Sequence, residues 1–330
     1  MSSPTSPSAT HASPKPTDPT DPSVTGAEAT TTDGTAAVLS GRELAAAIRA
    51  DVAARAAALT EAGTPPRLDV VTATDDEASA WYVRSIASAA TRVGIRCEVR
   101  DLGAGADARR IVAELERAGA EAAVHGVILQ TPLPAGCRLE ELAAAIDPAK
   151  DVDGAHPLSH GRLATGLPAY PPATAAAVMA LLDHHGIDPR GRRAVVVGRS
   201  TVVGRPLAQL LLDRDATVTV AHSRTRDLAE VCADAEILVA AVGRAGLIRA
   251  EHIASGAFVV DVGTNPTEDG GLVGDVDAAA AASRARGYTP VPGGVGPVTT
   301  ALLLRHTVQA AEALTGSGDG ATERGEADER

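Results

Sequence analysis

Aromatic side chains are nearly missing from this 330-residue chain, which holds one Trp, one Phe and three Tyr, 2% of its residues. Two of the five nevertheless stand side by side, Trp81 and Tyr82 in the stretch EASAWYVRSI. Rings of this size ordinarily end up mostly buried, and Trp81 is expected in the core. Basic runs are lacking too. The net charge is −12, with 42 acidic against 30 basic residues. Without a stripe of Lys or Arg there is no electrostatic footprint for nucleic acid, so the expected partners are small molecules. Cysteine amounts to Cys97, Cys137 and Cys232, an odd number at wide spacing. That excludes a disulfide framework or a zinc site and fits a reducing cytosol, with no metal expected. No run approaches 18 apolar residues, which excludes a spanning helix and any membrane partner. The N-terminus lacks the charged-then-apolar order of a secretory signal, and its acidic residues, with no Arg before Arg42, fit no transit peptide. A cytoplasmic location is expected. No repeat of 20 to 50 residues is visible.

What is present is 45% hydrophobic, enough for a substantial core and, at this length, for two domains. Residues 1–37 are mostly Ser, Thr, Pro and Asp, and residues 316–330 read GSGDGATERGEADER. Neither end can bury enough apolar surface to offset its ordering entropy, so both are expected as disordered tails. Order is expected from Ser40, where Ser40 and Glu43 form a capping box ahead of the periodic run LAAAIRADVAARAAAL. RLDVVTA, IRCEVR and AAVHGVILQ then read as strands separated by the helix carrying WYVRSIASAATRVG and a helix over about 106–118. A bridge rich in Pro and Gly leads to a helix near Thr174 and to the strands RRAVVVG, ATVTVAHS, AEILVAAVG and GAFVVDVG, with a helix from Gly204 and a short one further on. A last helix is expected over about 297–314. Near-continuous apolar strands alternating with helices predict an α/β fold whose parallel sheets are covered on both faces.

In VVVGRSTVVGRPLAQLLL a strand ends at Gly198 and a helix opens near Gly204, the strand, loop, helix context of a dinucleotide site. The Gly-x-Gly-x-x-Gly pattern itself is not met, because Ser200 and Val203 occupy the second and third glycine positions. At the end of the next strand, where an NAD site places Asp or Glu, stand His222, Ser223 and Arg224. With Arg199 in the loop, this cationic pair suits a 2′-phosphate and hence NADP; both could instead be solvated surface arginines.

Four segments, in order and spacing, resemble the FolD family of methylenetetrahydrofolate dehydrogenase/cyclohydrolases: GVILQTPLP with Gln130, KDVDGAHP with Asp153, VVVGRSTVVGRP, and VGDVD through TPVPGGVGPVTTALLL. The resemblance covers roughly residues 38–314. It implies two α/β domains around a cleft: a folate-binding catalytic domain over 38–170, completed by a returning helix at 297–315, and a Rossmann-like NADP-binding domain over 171–296. It implies a homodimer acting in one-carbon metabolism, oxidising 5,10-methylenetetrahydrofolate with NADP and hydrolysing the methenyl product to 10-formyltetrahydrofolate. It further implies that Tyr82, Gln130 and Asp153 carry the catalytic positions. Asp153 holds the amino edge of the pterin, and Tyr82 faces the folate. Gly198, Arg199, Ser200, Gly204, Ser223, Arg224, Gly263, Thr264, Gly293, Gly294 and Gly296 line the cofactor side, the last three letting backbone approach both ligands.

The chain departs from that pattern on the folate side. The family's Tyr-x-x-x-Lys becomes Tyr82 to Ile86, and Arg84 projects elsewhere. Ile86 can neither give nor take a proton, so the cyclohydrolase step is in doubt, whereas hydride transfer needs alignment rather than a base; Ile86→Lys is expected to restore some hydrolysis. His125 stands where Asp is usual and is expected to be structural, and Thr174 keeps its place while its neighbours differ. Two other readings stay open: an NADP oxidoreductase of the same fold with a drifted substrate, and a folate- or NADP-binding paralogue without turnover.

Overall fold

The computed structural model describes residues 36–267 and 269–322, the side chains of 317–322 excepted; most of both expected tails lies outside them. The N-terminal half runs α1 (Arg42–Glu61), β2 (Arg67–Thr72), α2 (Glu77–Arg92), β3 (Arg96–Asp101), α3 (Ala108–Ala120), β4 (Gly126–Leu129), α4 (Leu139–Leu142) and α5 (Pro157–Ala164), preceded by a two-residue strand β1 (Ala37–Val38). The C-terminal half runs α6 (Ala173–His184), β5 (Arg193–Val197), α7 (Gly204–Leu212), β6 (Thr217–Ala221), α8 (Leu228–Ala233), β7 (Ile237–Ala240) and β8 (Phe258–Asp261). It closes with the hairpin strands β9 (Asn265–Pro266) and β10 (Leu272–Val273), then α9 (Ala278–Arg284), β11 (Gly287–Tyr288) and α10 (Val295–Thr322).

Among these residues two parallel sheets form, one of three strands in the order β3-β2-β4 and one of six in the order β1-β11-β8-β7-β5-β6. Successive strand residues face opposite sides, and in the central strands β2, β4, β5, β7 and β8 both sides are covered. Leu68 and Val70 of β2, with Ala194 and Val196 of β5, point into one shared core containing α1, α2, α6 and α10. Val71 points instead to a second core with Ile111 and Leu115 of α3, and Val195 and Val197 to a third under α8 and α9. The helices between the two sheets therefore serve both halves, and α10 packs along α1 and α6.

Four expectations need correction. Order starts earlier than Ser40: Ala37 and Val38 pair in parallel with Gly287 and Tyr288, so the first strand belongs to the C-terminal sheet. The capping box does not form. Gly41 is the N-cap of α1 with no side-chain cap, and the Ser40 hydroxyl accepts from the Arg42 amide at 3.3 Å. Glycine is required there because a Cβ at 41 would clash with the Gly294 carbonyl. Trp81 is not in the core but 59% exposed. The buried stripe of α2 is Ser79, Val83, Ile86 and Ala90, and Trp81, two residues before Val83, is turned about 200° from it. Finally, α10 continues to Thr322, well beyond the expected end near 314. His125 is structural as expected: it is buried and its Nδ1 accepts from the Arg67 amide at 3.2 Å.

Candidate active site

The KDVDG loop, residues 150–154, lies between α4 and α5, runs beside β4 and is fixed by several contacts. Val127 donates its amide to the Lys150 carbonyl at 2.8 Å, extending β4 into the loop. The Lys150 ammonium donates to the Gly119 and Glu121 carbonyls at 2.6 and 2.8 Å, tying the loop to the end of α3. The Asp151 carboxylate is fully buried and accepts from the Ala155 and His156 amides and the Ser159 hydroxyl, at 2.9, 3.0 and 2.6 Å. Gly154 adopts φ +63°, and a Cβ there would sit 2.5 Å from the Tyr170 carbonyl. Of the loop's charged side chains, Asp153 is the one that these contacts leave facing the interior.

Its carboxylate is half-buried and accepts a hydrogen bond from the Ala173 amide, the first residue of α6. Burial, together with the nearby Asp151 charge, raises its pKa to about 7 against the pull of that amide. Tyr82 of α2 lies within electrostatic reach of Asp153 and shares a hydrogen bond with Thr300 of α10. Burial and the Asp153 charge push the phenol up, which keeps it protonated at neutral pH. The Thr300 hydroxyl also bonds back to the Gly296 carbonyl at 3.4 Å, which joins this site to the glycine loop. Gln130 ends β4 with its amide turned onto the Thr131 carbonyl at 2.6 Å, an oxygen shared with the Ser79 hydroxyl at 3.0 Å. The structure thus brings Tyr82 and Asp153 together and holds Gln130 at the neighbouring strand end. Ile86, one turn after Tyr82 on α2, is fully buried in the shared core against which Tyr82 packs. Thr300, Ser79 and Asp151 went unnoticed in the sequence; polar residues one turn into a helix or two residues from Asp153 were the available signal.

On the other side, the loop after β5 is built around glycines. Gly198 has φ +134°, and a Cβ there would clash with the Ala241 carbonyl. A Cβ at Gly204 would clash with the Gly198 carbonyl, so the loop folds tightly onto the start of α7. The Ser200 hydroxyl accepts from the Val203 amide at 3.2 Å and from the Gly204 amide at 3.5 Å, which closes the turn ahead of α7. The β5–β6 register pairs Val197 with Ala221, so Arg199 and Ser223 each lie two residues past adjacent strand ends, with Arg224 alongside. All three are exposed. Gly263 is packed against Asp275, whose carboxylate accepts from the Val242, Gly243 and Arg244 amides at 2.6, 2.9 and 2.8 Å. Asp261, raised to about 6 by burial, accepts from the Gly263, Asp275 and Val276 amides. These two carboxylates shape the loops beyond β7 and β8, where Thr264 is exposed.

The turn before α10 is equally tight. Gly293 has φ +112° and faces the Arg42 guanidinium, and a Cβ at Gly294 would lie 2.7 Å from the Pro290 carbonyl. Gly296 differs: no chain atom lies within 4 Å of its would-be Cβ, so nothing within the chain demands glycine there. The loop is joined to the start of α1 by the Gly41 amide donating to the Gly293 carbonyl at 2.9 Å. A strand-end phosphate loop, two arginines without a competing carboxylate, and shaped neighbouring loops form a donor set that suits a phosphorylated dinucleotide.

Comparison with known proteins agrees with this division. Residues 39–153 match the family model described as tetrahydrofolate dehydrogenase/cyclohydrolase, catalytic domain, and residues 172–315 its NAD(P)-binding domain. A bifunctional FolD protein of Saccharopolyspora erythraea is 65% identical over 273 residues, covering 83% of this chain and 93% of that relative. Among solved structures, the bifunctional FolD methylenetetrahydrofolate dehydrogenase/cyclohydrolase of Campylobacter jejuni is 38% identical with a TM-score of 0.81, covering 84% of this chain and 98% of the other. The FolD enzyme of Trypanosoma brucei, solved with NADP and an inhibitor, is likewise 38% identical with a TM-score of 0.81, covering 85% and 99%. With both of its halves matched in order over most of its length, the chain belongs to the tetrahydrofolate dehydrogenase/cyclohydrolase family.

Proposed function

We propose that this protein oxidises 5,10-methylenetetrahydrofolate to the methenyl compound with NADP, and hydrolyses that product poorly. The observation that carries the folate assignment is the KDVDG loop: Lys150, Asp151 and Gly154 are consumed in holding it, while Asp153 presents a carboxylate with one structural hydrogen bond and spare acceptor positions. A carboxylate in that state can accept two N–H groups from the amino edge of a pterin. Tyr82, beside it and fixed by Thr300, supplies a protonated, half-buried ring against the same ligand. Residues 38–170 with the returning stretch 297–315 then form the folate side, and 171–296 the nucleotide side.

NADP, when bound, supplies the hydride acceptor. Gly198 to Gly204 are suited to its pyrophosphate, and Arg199, Ser223 and Arg224 to its 2′-phosphate, with Gly263, Thr264 and the 293–296 turn toward the cleft. Alignment of the folate by Asp153 and Tyr82 is the chain's contribution to hydride transfer. Hydrolysis needs more, because a water must be deprotonated and a ring nitrogen protonated. Ile86 can do neither. Among the described residues Lys150 is the single lysine, and its ammonium is bonded to the end of α3. The reading is tested by following NADPH and the methenyl absorbance together. The two are expected to rise in step after correction for spontaneous hydrolysis. NADPH without methenyl accumulation, or no NADPH at all, goes against it.

A cytoplasmic homodimer completes the proposal. The cysteines are all free, and among the described residues no helix is long and apolar enough to cross a membrane. Strand β6 ends its sheet unpaired, with Val220 39% and Leu212 of the preceding helix 56% exposed, an edge that a second copy would cover. Sedimentation measures the oligomer directly.

A further inference from the structure

We propose that His306 of α10 is a positioning residue for folate binding, holding the backbone next to Asp153 through the Val152 carbonyl. The proposal rests on the reading of Asp153 given above. Val152 is fully buried, and its carbonyl oxygen lies 2.8 Å from His306 Nδ1. A carbonyl only accepts, so the imidazole carries its proton on Nδ1. His306 is itself 4% exposed, and its ring lies 5.2 Å from that of Tyr170, centroid to centroid. Burial lowers its pKa to about 4, so the neutral ring with one N–H is the form present at neutral pH.

The placement gives the contact its consequence. A Cβ at Gly154 would meet the Tyr170 carbonyl and the Pro172 nitrogen, and the His306 ring that lies against Tyr170 also bonds Val152. The residue between these two fixed points is Asp153. A Cβ at Gly126 would lie 3.0 Å from both Val152 and the Thr307 hydroxyl, so β4, the loop and α10 approach one another closely at this glycine. The helix that supplies Thr300 to Tyr82 thus also supplies His306 to the Asp153 loop, and one rigid element sets both halves of the folate contact. A buried carbonyl left without its donor would turn toward water and carry the neighbouring peptide with it.

His306→Phe keeps a ring beside Tyr170 and removes the donor, whereas His306→Asn keeps an N–H near the Nδ1 position. The Phe variant is expected to raise the KM for methylenetetrahydrofolate about tenfold, with kcat less affected, and to leave NADP affinity by calorimetry unchanged. The Asn variant should stay within about threefold of wild type. Equal KM in Phe and wild type, failure of Asn to rescue, or parallel loss of NADP affinity overturns the proposal. If neither variant folds, the wild type still decides. NMR of the imidazole should show an Nδ1-bound proton protected from exchange, and an Nε2-protonated or freely exchanging ring refutes the contact. Asp153→Ala separates the two levels. Retained folate binding in that variant would sink the Asp153 reading itself, whereas lost binding there with an unaffected His306→Phe would sink the positioning role alone.

Discussion

Asp153 should be an energetic burden on the fold that its own replacement lifts. An ordinary aspartate titrates near 3.9, whereas burial and the Asp151 charge raise this one to about 7. In the unfolded chain the group ionises as pH passes about 4; in the folded chain it stays protonated until about pH 7. Over that window the folded state binds more protons than the unfolded one, so stability falls as pH rises, and above pH 7 the whole cost is present. Three decades of proton affinity correspond to about 4 kcal/mol. Because Asp153 is half-buried rather than enclosed, about 2–4 kcal/mol is the working range. Asp153→Asn keeps an oxygen to accept from the Ala173 amide and removes the charge. It is therefore expected to stabilise the protein by that amount at pH 8 and by almost nothing at pH 4, while weakening folate binding. The assay is denaturant unfolding of both proteins across pH 4 to 8. A difference that is absent at pH 8, or equally large at pH 4, refutes the electrostatic account. The same reasoning makes the KM for folate fall as pH rises through about 7, since the ionised carboxylate is the form that accepts both N–H groups.

Replacing Arg199 and Arg224 together by Ala should cut kcat/KM for NADP at least tenfold while changing NAD little, because the proposed site gives each guanidinium a charge-assisted contact to the 2′-phosphate; equal losses for both cofactors would remove the assignment. Ile86→Lys should destabilise the protein by about 3–5 kcal/mol, the sum of lost apolar burial and the cost of enclosing an amine. Its penalty should shrink as pH rises toward 10, and it should restore only a small fraction of methenyl hydrolysis. Unchanged stability with full hydrolysis would place that side chain in the cleft rather than in the core. Gly204→Ala should abolish NADP binding or folding of the nucleotide half, since its Cβ has no room against the Gly198 carbonyl; a variant with normal NADP affinity by calorimetry would show that the loop can open.

The sequence by itself determined the elements that repeat locally. Strands such as RRAVVVG and RLDVVTA are continuous apolar runs, and covered parallel sheets follow from that pattern without any partner being known. The glycine loop was legible for the same reason: its strand, its glycines and the missing carboxylate after the next strand all lie within a few dozen residues. Tertiary structure decided what depends on chain segments far apart. Ala37 and Val38 are too short to show a period and become a strand only because Gly287 and Tyr288 are there to pair with. Gly41 replaces Ser40 as the helix cap because Gly294 presses against it. Trp81 was misplaced by ring type, although the stripe Ser79, Val83, Ile86, Ala90 already turned it outward; how much of that outer face another element covers is a question of packing. Spacing sets Ile86 one turn after Tyr82, and the packed core decides that its side chain is fully enclosed. The pairings of Tyr82 with Thr300, and of Val152 with His306, join residues more than 150 positions apart. Periodicity carries no trace of such pairs, because what brings them together is the return of α10 across the N-terminal sheet.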